Sequence, residues 1–245
     1  MAKPRALLTR APIAEAILDF RVEARADWRV EDFDGLVEDL KDRYPNRHEL
    51  REIQAGVTWG PSAPSSASVQ EQREGRLLRS NSATVVQLRR GGFTFSKLSP
   101  YTTWEEVSGE ALRILPSYLE AARPTRVTRA AVRYINDMVL PLAPPRLFLA
   151  KPPALASKVP QAMREFLSRV VVWDQKHSAT AIIIQAHGSQ PEPDPMRLLL
   201  DIDVIREGDL STDCAALRQI MESLRALKNR IFFASLTEEA VSHFE

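Results

Sequence analysis

One pattern constrains the fold of this chain more than any other: charged and apolar residues alternate strictly near its start. In the segment from Ile13 to Glu23, Asp19 and Arg21 each stand between two apolar residues. Because successive side chains of a β-strand point to opposite faces, this alternation predicts a half-buried strand. The strand needs a sheet that buries its apolar face and leaves its charged face open.

Two later segments carry charges with the same spacing. Arg129 and Arg133 stand an even number of residues apart in an apolar stretch, and so do Asp201 and Asp203 in LLLDIDV. Side chains at such positions project from one face of a strand. We therefore expect three strands to build one charged sheet face from Asp19, Arg21, Arg129, Arg133, Asp201 and Asp203.

Apolar residues at helical spacing predict the helices that cover the other face. Thr102 or Thr103 is expected to cap the second helix, and Asp213 the last long one. The predicted helices are Val30–Tyr44, Trp104–Tyr118, Gln161–Arg169 and the segment after Asp213. The predicted strands are Ile13–Glu23, Glu49–Trp59, Arg76–Ser80, Ala83–Arg90, Phe93–Leu98, Val127–Leu140, Val170–Gln175, Thr180–His187 and Met196–Arg206, with a Ser- and Pro-rich loop at 60–72.

This order of elements predicts an α+β protein made of two similar halves, residues 1–124 and 125–245. Each half is expected to be a duplicated β-α-β(3-4)-α unit with an antiparallel curved sheet and helices packed on one face. By topology the arrangement is similar to TATA-binding-protein-like or ferredoxin-like folds, which is an analogy of architecture alone. The sequence leaves open whether the halves share one continuous sheet.

Composition narrows the environment and the partners. The 33 basic and 32 acidic residues give a formal net charge of +1, so bulk charge does not indicate a nucleic-acid-binding protein. Cys214 is the single cysteine, which fits a reducing compartment and leaves no intrachain disulfide. No apolar run approaches the roughly 20 residues of a membrane span. We expect a cytoplasmic protein with no membrane contact.

Five segments carry a resemblance that covers nearly the whole chain. In order they are APIAEAILDFRVE, LSPYTTWEE, VRYIND, LLLDIDV and KNRIFFASLTEEA. Together they resemble a sporadically distributed bacterial family of uncharacterised proteins. The resemblance implies no catalytic residue, because that family has no established activity. Its patchy distribution implies horizontal transfer, which is typical of defence and toxin–antitoxin genes.

Positive charge is concentrated on the predicted hairpin of residues 73–97. Phe93 and Phe95 lie in the same stretch, and arginines interleaved with aromatic side chains can bind single-stranded nucleic acid. The alternative interpretation is a solubilising sheet edge over core phenylalanines. The candidate residues for a partner or nucleic acid are Arg76, Arg79, Arg89, Arg90 and Lys97.

Asp201 and Asp203 allow two interpretations. Two carboxylates on one strand face could hold a magnesium ion for chemistry on phosphate groups. They could instead form ion pairs with Arg129 and Arg133 across the sheet, which we favour because no third ligand is evident. We therefore expect no metal site, and a face of mixed charge that suits a protein partner or a second subunit.

No nucleophile, base and orienting group can be assembled from this sequence, and no phosphate-binding glycine loop occurs. We therefore expect a non-enzymatic binding or regulatory protein without a cofactor, acting through protein contacts or as a homo-oligomer. An accessory role in a bacterial defence or toxin–antitoxin locus is the expected context. The alternatives are a nucleic-acid-binding module that uses the hairpin and a metal-dependent enzyme that uses the aspartates.

Overall fold

The computed structural model describes residues 8–58, 66–141, 143–156, 158, 163–188 and 195–245, and the side chains of 52–58 and 66–72 lie outside that description. In the described residues, nine strands form one antiparallel curved sheet. The strands are β1 (Ile13–Glu23), β2 (Asn46–Thr58), β3 (Ser66–Arg79), β4 (Thr84–Arg89), β5 (Gly92–Leu98), β6 (Arg126–Leu140), β7 (Phe166–Asp174), β8 (Ala179–His187) and β9 (Met196–Leu210).

The strand order across the sheet is β2-β3-β4-β5-β1-β6-β9-β8-β7. The first strands of the two expected halves, β1 and β6, pair at its centre, with Leu18 opposite Val132 and Phe20 opposite Ala130. The described strands of both halves therefore belong to one continuous sheet, which answers the question that the sequence leaves open. At its two ends lie β2 and β7.

The helices lie on one side of the sheet. They are α1 (Asp34–Asp39), preceded by a 3-10 turn at Val30–Phe33, then α2 (Trp104–Ala122), α3 (Cys214–Ser235) and α4 (Glu238–Ser242). The two longest helices cover different parts of the sheet. Helix α2 packs on β1 and β5, and α3 packs on β6 and β9. None of the helices in the described part of the chain has the length and apolar character to cross a membrane.

Side-chain caps fix where the helices begin. Thr103 Oγ1 accepts a hydrogen bond from the Glu106 amide at 3.2 Å, and Asp213 Oδ1 accepts one from the Ala216 amide at 2.8 Å. Both caps satisfy amides that have no partner inside the helix. The predicted starts of α2 and α3 are confirmed, and of the two threonine candidates Thr103 is the cap.

The apolar face of the sheet and the helices form one core. Leu18, Phe20, Val132, Tyr134 and Ile202 are at most 2% exposed. In β1 and β9 the neighbouring positions point away from the helices and carry the charged side chains. The alternation in the sequence therefore correctly predicts which face is buried.

Three predicted elements are wrong in extent or type. The helix expected over Val30–Tyr44 is the 3-10 turn followed by the short α1, although its apolar stripe is buried as expected. Residues 66–72 of the expected loop belong to β3, where they pair with β2. Phe166–Arg169, expected in a helix over Gln161–Arg169, lies in β7, and residues 161 and 162 fall outside the described residues.

Pairing explains the last of these differences. Arg169 lies opposite Ile184, and the β-branched run Val170–Val172 continues the same ladder along β8. The neighbouring strand supplies hydrogen bonds that helical spacing in the isolated sequence does not reveal, and tertiary context overrides that local preference. In the described residues, the second half therefore reads as four strands followed by two helices.

Candidate functional site

The charged sheet face is centred on Asp19, which is 7% exposed. Its carboxylate accepts hydrogen bonds from Arg129 Nη1 at 2.5 Å, Thr94 Oγ1 at 2.6 Å and Arg89 Nη2 at 3.1 Å. Arg21 Nε adds a further contact at 3.2 Å. Three arginines from three different strands therefore converge on one buried carboxylate.

Arg129 and Arg133 also hold the two aspartates of β9. Arg129 Nη2 lies 3.2 Å from Asp203 Oδ2, and Arg133 forms two hydrogen bonds with Asp201, at 2.9 and 2.6 Å. These are the cross-strand ion pairs that the spacing predicts. Burial raises the pKa of the Asp203 carboxyl even though both arginines lower it. The Asp203 Oδ1 atom has no hydrogen-bond partner among the described residues.

The same geometry bears on the metal-ion hypothesis. Both Asp201 and Asp203 are already engaged by guanidinium groups, which compete with a cation for the same oxygens. Across the described part of the chain, no cluster of three His, Cys, Asp or Glu side chains could hold a metal ion. Among the described residues, Asp201 and Asp203 are therefore partners of arginines, with no third ligand beside them.

The arginines of the expected basic hairpin do not form one surface. Arg76 lies opposite Leu88, on the helix-covered side, and its guanidinium contacts Asp34 Oδ1 of α1 at 2.8 Å. Arg89 points to the other side, where it contacts Asp19. The sheet itself separates these two cations.

The remaining hairpin candidates are similarly dispersed. Lys97 is 7% exposed, and its Nζ donates to the Ser82 carbonyl oxygen at 2.6 Å. Arg79 lies opposite Val85 on the open side of the sheet, and Arg90 lies in the turn after β4. The described candidates therefore occupy both faces and one turn rather than a continuous basic track.

A cavity of about 550 Å³ lies where the starts of α2 and β1 meet the C-terminal half of α3. No local pattern in the sequence indicates this cavity, because its walls come from distant positions in the chain. It lies at the end of the sheet's helix-covered side, away from the Asp19 network. Its walls include Arg10, Ile13, Tyr101, Trp104, Tyr134, Asn136, Arg225, Lys228, Phe232 and Phe233.

Lys228 of α3 is the unusual group in this cavity. The residue is 7% exposed, and its Nζ lies 3.6 Å from the centroid of the Tyr134 ring. Burial, with a smaller contribution from the nearby Arg225, lowers the pKa of Lys228 to about 7. A buried amine with this pKa exchanges its proton near neutral pH, unlike an exposed lysine.

Several other polar groups of the cavity wall already have partners. The hydroxyls of Tyr101 and Tyr134 lie 3.0 Å apart, and Trp104 Nε1 donates to Glu222 Oε1 at 2.6 Å. The Arg225 guanidinium lies 5.1 Å from the centre of the Trp104 ring. The aromatic rings are thus held in fixed positions around the cavity.

The outer strand β7 presents a second unpredicted feature. Leu167, Val171 and Trp173 are 77%, 50% and 65% exposed, and their alternate positions place them on one face of the strand. Among the described strands β7 pairs with β8 alone, so its outer edge ends the sheet. Partly exposed Ile182 and Ile184 on β8 lie opposite Val171 and Arg169 and extend the apolar surface.

Comparison with known proteins adds no relative to this picture. Neither a protein-family model, nor a curated protein, nor a solved structure matches the chain.

Proposed function

We propose that this chain is a non-enzymatic binding protein that acts through protein contacts, and that β7 is its contact strand. The observation that supports this proposal is the exposed apolar row Leu167, Val171 and Trp173 on a strand at the edge of the sheet. Edge strands present backbone groups that can pair with another chain, and they are usually protected by charges, proline or a covering loop. On this face of β7 Arg169 is the one charged side chain, and the large side chains around it are apolar.

The occupant that fits this edge best is the same strand of a second copy. Closed dimers bring one surface patch against itself through a two-fold axis. An antiparallel pair centred on Val171 would place Val171 against its own equivalent and Arg169 against Trp173 of the second copy. Both members of the second pair lie on the open face, where a guanidinium can stack on an indole ring.

The polar residues of the strand suit the same register. Ser168 would lie opposite Asp174 of the second copy, so a hydroxyl would face a carboxylate and no like charges would meet. Cross-strand pairs of this kind each contribute roughly 0.2–1 kcal/mol beyond backbone pairing. The apolar row supplies the larger share, at about 25 cal/mol for each Å² removed from water.

The strand order also supports an origin of the fold by duplication, which we infer here. The strands β1 and β6 pair with each other at the centre, and each also pairs with a strand that directly precedes a long helix. Those strands are β5, followed by α2, and β9, followed by α3. An accessory role in a bacterial defence or toxin–antitoxin locus stays a prediction from the resemblance.

The experiment is native mass spectrometry together with light scattering of the purified full chain at about 20 µM. We expect twice the 27.6 kDa chain mass. Val171→Lys should give the single-chain mass, because a charge would then face its own equivalent. Val139→Lys is the matched control, since Val139 is 45% exposed but lies on β6; it should leave the dimer intact.

Two results would overturn the proposal. A wild-type protein that stays at the single-chain mass would show that β7 does not pair with a second copy. A dimer that persists in Val171→Lys would place the subunit contact elsewhere.

A further inference from the structure

We propose that the cavity beside Lys228 is a binding site for a small organic anion, a carboxylate attached to an aromatic or similarly flat apolar body. This inference goes beyond the contact strand β7, which does not line the cavity. Three properties carry it: a buried amine without an anionic partner, five aromatic side chains in the walls, and more cationic than anionic side chains in the lining.

The first property is the position of Lys228. Lysine is almost never fully buried unless its charge is paired. In the described part of the chain, no carboxylate lies within 4.0 Å of its Nζ, and the contact that the amine makes is with the face of the Tyr134 ring. By contrast, the neighbouring Arg225 already pairs with Glu222 and Glu105. The amine is therefore available to a carboxylate that enters from outside.

The second property is the shape and chemistry of the walls. The volume of about 550 Å³ lies within the roughly 300–1,000 Å³ range of small-molecule sites. The rings of Tyr101, Trp104, Tyr134, Phe232 and Phe233 line it. Because the tyrosine hydroxyls and the indole N–H already have hydrogen-bond partners, these side chains offer mainly their apolar surfaces to a ligand.

The third property is the charge of the lining. Arg10, Arg225 and Lys228 line the cavity, with Glu105 as the one carboxylate among the described lining residues. Arg225 already pairs with Glu105 and Glu222. The positive charges of the described lining left without a carboxylate are therefore Arg10 and the protonated form of Lys228. Arg10 Nη2 donates to the His243 carbonyl oxygen at 2.6 Å, so this positive charge is held in place by a neutral partner. A cavity with more cations than anions favours a negatively charged ligand over a neutral one of the same shape.

The test uses a pair of probes that share one body. Naphthalene-2-carboxylate carries the anion, and naphthalene-2-carboxamide is its neutral counterpart. Titration calorimetry on the full-length protein should show saturable binding of the carboxylate and about tenfold weaker binding of the amide, since charge-assisted hydrogen bonds are the stronger kind. The chain has four tryptophans, so quenching that occurs in the wild type and is lost in Trp104→Phe would place the probe in this cavity.

Lys228→Met is the deciding variant, because it keeps an unbranched apolar side chain and removes the charge. It should lose most of the preference for the carboxylate, with Arg10 accounting for what remains, whereas Lys151→Met, at an exposed position, should keep the tenfold preference. Thermal melting checks that Lys228→Met folds. Because removing an unpaired buried charge relieves a cost, we expect its Tm to be at or above that of the wild type.

Two outcomes would overturn this proposal. One is the absence of saturable carboxylate binding up to about 1 mM. The other is equal carboxylate affinity in the wild type and in folded Lys228→Met, which would mean that Lys228 serves only to pack on Tyr134. Val171→Lys should still bind the carboxylate, so failure of the dimer and failure of this site are distinguishable.

Discussion

Arg133 and Asp201 face each other across β6 and β9 through two parallel hydrogen bonds, Nε to Oδ1 at 2.9 Å and Nη2 to Oδ2 at 2.6 Å. Their environments differ, because the arginine side chain is 41% exposed and the aspartate side chain is 7% exposed. Water can therefore reach the guanidinium if the pair is broken, but it can hardly reach the carboxylate.

This asymmetry predicts that substituting Arg133 lowers the free energy of unfolding more than substituting Asp201. Arg133→Met leaves a buried carboxylate without its guanidinium and should lower the free energy of unfolding by about 2–3 kcal/mol. Asp201→Asn leaves an exposed guanidinium that can hydrate, and the amide oxygen can still accept one hydrogen bond, so about 1 kcal/mol is expected. Urea unfolding with comparison of midpoints and slopes measures both. Equal losses would contradict this assignment of the buried partner.

The cap of α2 can be tested at Thr103, with the neighbouring Thr102 as the control position. Thr103→Ala removes the acceptor of the Glu106 amide and should cost about 1 kcal/mol of unfolding free energy. Thr102→Ala changes an exposed threonine that does not cap the helix and should cost well under half of that. Chemical denaturation of the two variants in parallel measures both losses of unfolding free energy. A larger loss in Thr102→Ala would contradict the assignment of Thr103 as the cap.

The elements that the sequence predicts well are those whose signals are local. In β1, Asp19 and Arg21 between apolar neighbours identify both the strand and its open face. At α3, Asp213 before an apolar stripe identifies the first turn. Each signal lies within a few residues of the structure that it specifies, so no knowledge of the neighbouring elements is needed.

Features that depend on distant pairing have no local signal in the sequence. Helical spacing predicts a helix before Val170, although pairing with β8 makes this segment a strand. The cavity could not be seen either, because Arg10, Tyr101, Tyr134 and Lys228 become neighbours only through the sheet and the packing of α3.

Gly75 lies within β3, opposite Arg89 of β4, where we expect a larger residue to be destabilising. A Cβ atom there would overlap the carbonyl oxygen of Leu88 on the paired strand. Because backbone rather than a flexible side chain would have to move, Gly75→Ala should destabilise the protein by about 1–3 kcal/mol. Gly109→Ala is the contrasting variant, since it adds a methyl group to open space inside α2 and should stabilise by up to about 1 kcal/mol. Thermal unfolding should therefore shift in opposite directions, and a shift of the same sign would argue against this close approach.

The buried Lys228 predicts a specific dependence of stability on pH. Its pKa is lowered to about 7 in the folded protein, below the ordinary value of 10.5 for a lysine side chain. Between these two values the unfolded chain holds the proton and the folded chain does not, so the free energy of unfolding rises with pH across this window. The full cost of burying the charge is present below pH 7. The limiting slope for one proton is about 1.4 kcal/mol per pH unit.

The measurement is urea unfolding of the wild type and Lys228→Met at several pH values from just above 7 to 9. The groups around the amine are Tyr134 on β6, Tyr101 and Glu105 at the start of α2, and Arg225 on α3. Burial raises the pKa of both tyrosines, so they stay protonated in the folded protein through this range. The wild type should therefore gain stability relative to Lys228→Met as pH rises, by roughly 1–2 kcal/mol overall. Parallel pH profiles for the two proteins would show that Lys228 keeps its proton on folding, and hence that its amine is better solvated than the cavity geometry indicates.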